Sequence, residues 1–133
     1  MDYNKHLKKG FIDILKNILK EISQSGIKEG YGLAITFLTN SPHVVISERI
    51  KWPNEMKVYL SEGTFEDLRI CDTFFEIVLF FDDEEELLKI PYVFVTKIED
   101  TENNFELNFL KSENEDFFIT DENIINIDFE KKK

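Results

Sequence analysis

The sequence predicts a mainly β domain that begins with a helix and ends in a segment of different character. Between residues 4 and 24, apolar residues recur at three- and four-residue steps, which is the period of a helix. From Tyr31 onward, short alternating segments separated by turn residues indicate antiparallel strands that curl into a small barrel or sandwich. Beyond residue 110 the chain is mostly polar and acidic until a short apolar cluster near its end.

Composition limits the class of protein. At 133 residues, 42% hydrophobic and with thirteen Phe, the chain suits one domain with a real core. The net charge of −11 repels phosphate backbones, so we expect no nucleic-acid partner. Cys71 is the single cysteine, which indicates a reducing compartment without disulfides. The N-terminus lacks the apolar run of a signal peptide and no stretch is long enough to span a membrane, so we expect a cytoplasmic protein.

The N-terminal helix is predicted at 4–24, and Gly26 suits a left-handed cap at its end. Its apolar positions are Leu7, Phe11, Ile12, Ile14, Leu15, Ile18, Leu19 and Ile22. At about 100° per residue they cover an arc of roughly 160°, whereas a helix lying on one sheet needs about 100°. A symmetric dimer contact would use the surplus, and we favour it over deeper burial of the helix in its own domain.

The strand predictions come from alternation and turn residues. They fall at 31–38, 44–47, 56–60, 65–71, 74–81, 86–90 and 105–110. The segment PYVFVTKI, 91–98, fits either a short helical turn or a further strand. Turns are expected at 40–42, 61–63 and 71–73, and in the acidic run 82–86. A meandering antiparallel sheet follows from this pattern.

The segment FFEIVLFF, 74–81, is apolar on both of its faces. One face carries Phe75, Ile77, Leu79 and Phe81, and the other carries Phe74, Val78 and Phe80 with Glu76. A strand that is apolar on both sides must be covered on both sides. The cover is the N-terminal helix, a neighbouring subunit or a ligand, and the pattern does not choose among them.

The C-terminal segment divides into two parts. Residues 111–122, KSENEDFFITDE, are predicted to be a flexible linker. Residues 123–133, NIINIDFEKKK, combine an apolar cluster with a basic end. Such a cluster after a polar spacer fits a short docking motif, and its alternation fits an edge strand equally well.

The residues needed for catalysis or metal binding do not occur in a suitable pattern. Cys71 stands beside Asp72 at a predicted hairpin turn, while His6 and His43 are predicted on a helix surface and beside a turn. One Cys and two His without close spacing make no zinc site. The acidic run 82–86 lacks the spaced ligands and central glycine of a calcium loop. We therefore predict a binding module that is not an enzyme, with no catalytic residue, no metal and no cofactor.

Several segments occur in the order known from one family. They are YGLAITFLTNSPHVVISERI (31–50), NEMKVYL (54–60), FEDLRI (65–70), the F-x-I-x-L-x-F pattern of 75–81, KIPYVFVTKIED (89–100) and FELNF (105–109). In this order and spacing the chain resembles the SspB family, and specifically its alpha-type branch. Members of that family are adaptors that deliver ssrA-tagged proteins to the ClpXP protease.

The resemblance implies a small open SH3/Sm-like barrel of antiparallel strands, at 1–110, that binds the tag peptide. It implies a homodimer formed by the N-terminal helices. The predicted interface consists of Phe11, Ile14, Leu15, Ile18 and Ile22. We place the peptide groove beside the two-sided strand and the turn after 60, and the predicted groove residues are Ser61, Phe65, Val78 and Phe80.

The resemblance also implies that the tail, 123–133, docks on the ClpX unfoldase. Its predicted docking residues are Ile124, Ile125, Ile127, Asp128, Phe129 and Lys131. The terminal sequence is similar to the family's docking tail, in which an apolar-Asp-Phe core precedes basic residues, and this favours the docking motif over the edge strand.

Two other functions remain in competition. One is an Sm-like RNA-binding module, which the net charge of −11 disfavours. The other is a general peptide-binding or structural dimer without tag specificity. Indifference to the sequence of a bound peptide would identify the second.

Overall fold

A computed structural model of the chain describes residues 3–108, beginning with helix α1, Tyr3–Ser25. Phe11, Leu15 and Leu19 follow one another at four-residue intervals and are buried in the core. The helix ends at Gly26, which has the left-handed φ of 75° and donates its N–H to the carbonyl of Ile22 at 2.7 Å. The helix predicted at 4–24 is confirmed to within one residue at each end.

Seven strands follow α1 in the described part of the chain. They are β1, Gly32–Leu38; β2, Glu55–Ser61; β3, Phe65–Ile70; β4, Phe74–Phe81; β5, Glu84–Pro91; β6, Val95–Asp100; and β7, Phe105–Asn108. Six of them correspond to predicted strands, while β6 is the second half of the ambiguous segment 91–98. That segment contains both of the expected structures, because a 3-10 turn at Tyr92–Phe94 leads directly into β6.

The strands form two antiparallel sheets. Sheet A has the order β2-β1-β6-β7, and sheet B has the order β3-β4-β5. The chain passes from sheet A to sheet B at the turn 61–64 and returns through the 3-10 turn Tyr92–Phe94. The inner faces of both sheets and one face of α1 share a single apolar core. The mainly β fold class with an N-terminal helix is therefore confirmed.

Tyr92 joins the helix to sheet B. Its ring stacks on Phe75, with the ring centroids 5.9 Å apart, and its hydroxyl donates a hydrogen bond of 2.7 Å to the carbonyl of Cys71. Lys16 of α1 places its ammonium 5.4 Å from the centre of the Tyr92 ring and donates to the carbonyl of Asp72 at 3.2 Å. Burial raises the pKa of the Tyr92 hydroxyl above its ordinary value.

The strand predicted at 44–47 is wrong. Only Val45 pairs there, through one isolated bridge to Lys89 of β5. The side chains of Ser41 and Ser47 accept hydrogen bonds from backbone N–H groups two residues further on. These local bonds hold the segment in turns and compete with a continuous strand ladder. The acidic run also differs in detail, because its last three residues begin β5.

Candidate functional site

The outer face of sheet B carries two of the four predicted groove residues. Along β4, Phe75, Ile77 and Leu79 are buried, whereas Val78 is half-buried and Phe80 is 37% exposed. Side chains alternate between the two faces of a strand, so Val78 and Phe80 both face away from the core. The core covers the other face of β4, and the described residues leave this one partly exposed.

Two further apolar side chains lie on the same outer face. Leu87 of β5 stands directly opposite Val78 in the strand register and is 54% exposed. Val45 exchanges two backbone hydrogen bonds with Lys89, of 2.9 and 3.0 Å, and is 49% exposed. Directly opposed residues share a face, so Val45 extends the outer face beyond β5. We call the group Val45, Val78, Phe80 and Leu87 the outer patch.

Sequence reasoning missed half of the outer patch. Leu87 stands next to Leu88, and two adjacent apolar residues do not by themselves indicate which one points into the core. In the structure Leu88 is the buried one. The alternation of 86–90 is the signal that could have assigned Leu87 to the outer face. Val45 reaches the patch through an isolated bridge to a strand more than forty positions away in the sequence, and no local pattern encodes that contact.

The other two predicted groove residues lie elsewhere. Phe65 pairs with Leu79, which is buried, so its side chain points to the inner face of sheet B and packs against the core. Ser61 is the last residue of β2 and begins the turn to sheet B. The structure therefore brings Val78 and Phe80 together but places Phe65 on the opposite face of the sheet.

The turn 61–64 is held in place beside the outer patch by Thr64. The Thr64 hydroxyl accepts from the N–H of Ser61 at 2.9 Å and donates to the Ser61 carbonyl, also at 2.9 Å. Gly63 has a φ of 83°, which a type II turn requires at this position. The carbonyl of Thr64 then accepts the N–H of Phe80 at 3.1 Å. These bonds fix the main chain at the Phe80 end of the patch.

Charged side chains surround the outer patch unevenly. Glu66 stands opposite Val78 on β3, and Glu85 stands opposite Phe80 on β5; both are exposed. At the other end, Arg69 and Glu76 form an ion pair at 3.5 Å. Lys89 there lies over the ring of Phe74, 4.4 Å from its centre. The end near the turn is therefore acidic, and the three charged side chains at the far end carry one net positive charge.

Arg49 attaches the loop that carries Val45 to the start of β5. Its guanidinium forms an ion pair with Glu86 and lies 3.3 Å from a carboxylate oxygen of Glu84. The hydrogen bond to Glu86, with the nearby carboxylates, raises the pKa of Arg49 above its ordinary value. This attachment and the Val45–Lys89 bridge hold both ends of the segment against sheet B.

Helix α1 divides its apolar residues between the core and solvent. Of the predicted dimer residues, Phe11 and Leu15 are buried in the core, Ile18 and Ile22 are partly buried against it, and Ile14 is 43% exposed. Two apolar residues missed by the interface prediction, Tyr3 and Leu7, are also exposed. A Cβ added to Gly10 would meet nothing within 4 Å. At about 100° per residue, Tyr3, Leu7, Gly10 and Ile14 fall within an arc of roughly 60° beside the core face.

The predicted linker, 111–122, lies outside the described residues, as do all six docking residues: Ile124, Ile125, Ile127, Asp128, Phe129 and Lys131. Within residues 3–108, no group of three or more His, Cys, Asp or Glu side chains is arranged to hold a metal ion. No helix in the same range is long and apolar enough to cross a membrane.

Comparison with protein families gives a match. The family model described as SspB, stringent starvation protein B, matches residues 11–126 of the chain. The match covers most of α1, all seven strands and the chain as far as the start of the predicted docking tail. It does not single out the alpha-type branch. No curated protein matches the chain.

Proposed function

The chain belongs to the SspB family of protease adaptors, and from this membership we propose that it binds the ssrA tag of incompletely synthesised proteins and delivers them to ClpXP in the cytoplasm. The observation that carries the proposal is the outer patch, an apolar and partly exposed surface on sheet B. An adaptor makes and breaks no covalent bond, so a surface that binds one peptide and a second segment that binds the protease are sufficient.

The outer patch suits an extended peptide because its apolar side chains lie in the register of one sheet. Val78 and Leu87 form a direct cross-strand pair, with Phe80 two residues along β4. Burying one apolar side chain of a peptide there contributes about 1.5–3 kcal/mol. Two such anchors contribute about 3–6 kcal/mol, so main-chain hydrogen bonds to the peptide must supply the rest of the free energy that offsets its loss of freedom. The turn 61–64 borders the patch at its Phe80 end.

The tail converts weak binding into delivery. We propose that residues 123–133 dock on ClpX while sheet B holds the tag. The linker of twelve residues at 111–122 spans about 40 Å at full extension and about 20 Å on average if it behaves as a flexible chain. A tagged protein held at that range meets the protease at an effective concentration in the millimolar range.

The exposed stripe of α1, formed by Tyr3, Leu7, Gly10 and Ile14, is the proposed dimer contact. The spacing of four, three and four residues is the spacing of a helix–helix seam. Gly10 at its centre allows the two helices to approach closely, because no Cβ projects there. A dimer gives each complex two tag sites and two tails.

Degradation of a tagged substrate by ClpXP tests the two activities separately. Phe129→Ala is expected to remove the stimulation of degradation while tag binding stays within about twofold of the wild type. Leu87→Glu is expected to reduce both. The control is the whole chain with Lys28→Ala. Lys28 is exposed in a loop and is distant in sequence from both the outer patch and the tail. Unchanged stimulation by the Phe129→Ala variant would contradict the docking role of the tail.

A further inference from the structure

Strand β2 presents a free and regular edge. It is an edge strand of sheet A and has seven residues. Its pairing with β1 runs without interruption from Glu55 to Ser61. The other edges of the described fold are less accessible to a strand. β3 is broken by a bulge at Asp67, with φ of 53°, β7 has four residues, and the edge of β5 is bridged by Val45.

Two sets of hydrogen bonds identify the backbone groups on that edge. The N–H of Thr39 donates to the carbonyl of Asn54 at 2.9 Å, so the even-numbered residues of β2 direct their backbone groups toward β1. The odd-numbered residues therefore face away. Consistently, the hydroxyl of Thr64 reaches the N–H of Ser61 and the carbonyl of Tyr59 from that side.

The Thr64 side chain closes only the end of the edge. The N–H and carbonyl of Lys57 and the N–H of Tyr59 point outward with no partner among the described residues. Lys57 and Tyr59 are each about half exposed, and neither closes the edge with its own side chain. A strand edge of this kind is a template for one more strand.

We propose that residues 124–129 of the same chain add to β2 as an antiparallel strand. In this segment, IINIDF, Ile125, Ile127 and Phe129 alternate with Asn126 and Asp128. One face of the added strand is then apolar, and the other carries Asn126 and Asp128 with Ile124 at its start. The proposal does not depend on tag or ClpX binding.

One register satisfies both faces of the added strand. With Asp128 opposite Lys57, the apolar residues continue the inward-facing row of β2, formed by Met56, Val58 and Leu60. Asp128 then meets the ammonium of Lys57, which already lies 3.3 Å from a carboxylate oxygen of Glu99. In the antiparallel direction, the three final lysines lie at the end of β2 that carries the exposed Glu55.

The length of the chain permits this contact. From β7 to a strand beyond β2 is four strand spacings, or about 19 Å. Fifteen residues separate Asn108 from Ile124, and at full extension they span about 50 Å. As a flexible chain they average about 21 Å, close to the distance required, so the effective concentration of the segment at the edge is near its maximum.

The contact would shield the apolar residues that the docking proposal assigns to ClpX. A tail on β2 cannot occupy the unfoldase at the same time, so the two contacts compete. The tail would then stay bound to the β2 edge until an unfoldase with higher affinity for the tail displaces it from the edge.

Residue-resolved amide hydrogen exchange of the full chain tests the proposal. The N–H groups of Lys57 and Tyr59 are expected to exchange about threefold or more slowly in the wild type than in Ile127→Asp, since intramolecular docking at millimolar effective concentration protects by factors of this size. Asn126→Asp is the matched control, because it introduces the same residue on the polar face and is expected to retain the protection. The N–H of Val58, which points to β1, reports that the domain remains folded in every variant.

Equal exchange at Lys57 and Tyr59 in all three proteins would overturn the proposal. Loss of protection in both Asn126→Asp and Ile127→Asp would also overturn it. The added negative charge, and not the face of the strand on which it lies, would then explain the loss. Protection that appears only when the tag peptide is added would assign the edge to the tag instead of the tail.

Discussion

Val78 and Leu87 stand directly opposite each other on the outer face of sheet B. Phe80 and Phe74 direct their backbone groups toward the β3 side, so the even-numbered residues of β4 make no ladder bonds to β5. Val78 and Leu87 are therefore a non-hydrogen-bonded pair, the kind in which Cβ atoms approach most closely, at about 5 Å. The two side chains present one continuous apolar surface at the centre of the outer patch.

Leu87→Glu is expected to weaken binding of the tag peptide by about 10- to 100-fold, because it replaces an apolar contact worth about 1.5–3 kcal/mol with a charge. Leu87 is exposed, so the free energy of unfolding should change by less than about 0.5 kcal/mol. Fluorescence anisotropy measures the affinity. Phe105→Glu, at an exposed aromatic residue of β7, is the matched control. Equal losses in the two variants would remove Leu87 from the site.

Ile14→Glu is expected to raise the dissociation constant of the dimer about 30-fold, which corresponds to about 2 kcal/mol. The reason is that a carboxylate in a closely packed helix contact loses its hydration without gaining a partner. Sedimentation equilibrium measures the association. Lys9→Glu introduces the same residue on a different side of α1 and should leave the dimer intact. A wild-type protein that is monomeric at tens of micromolar would contradict the proposed contact.

Tyr92→Phe removes the hydrogen bond to the carbonyl of Cys71 and is expected to lower the free energy of unfolding by about 1 kcal/mol at neutral pH. Burial raises the pKa of Tyr92 in the folded chain, so the unfolded chain loses this proton first. The contribution is fully present below the unfolded pKa of about 10 and is lost as the pH rises above it. Urea unfolding between pH 8 and 11 should show a shallower alkaline decline for the variant. Parallel pH profiles for the two proteins would contradict the assignment.

Gly32 lies beneath the ring of Tyr59, where an added Cβ would come within 2.6 Å of the ring carbon Cε2. Gly32→Ala is expected to displace the ring and to cost about 1 kcal/mol in free energy of unfolding. In a Tyr59→Ala background the same substitution should be neutral or stabilising, because alanine suits a strand better than glycine. A double-mutant cycle by urea unfolding measures the coupling. Additive effects would show that the ring does not oppose the Cβ.

The fold was largely predictable because each element carries its own periodicity. The three- and four-residue spacing of α1 predicts which side of the helix faces the core. The alternation of β2 does the same for that strand, whose buried residues are Met56, Val58 and Leu60. The two-sided apolar character of β4 predicts a second contact surface for this strand, and that stays a prediction. Its inner face is the core, and its outer face is the proposed peptide site.

The site was predictable only in part because it combines residues that are distant in sequence. Val78 and Phe80 follow from the pattern of β4 alone, but Val45 and Leu87 depend on the pairing of β4 with β5 and of a loop with β5. The strand register, which cannot be read from the local sequence, places Phe65 and Val78 on opposite faces of sheet B. The proposed helix interface shows the same effect, since the apolar arc alone does not reveal which of its residues pack in the core.

Tag recognition by the outer patch is tested by fluorescence anisotropy of a labelled ssrA-tag peptide titrated with the whole chain, beside a scrambled peptide of the same composition. Saturable binding of the tag peptide alone, lost in Leu87→Glu and kept in Phe105→Glu, is the predicted result. Absence of binding, or equal binding of the tag and the scrambled peptide, would contradict tag recognition by the outer patch.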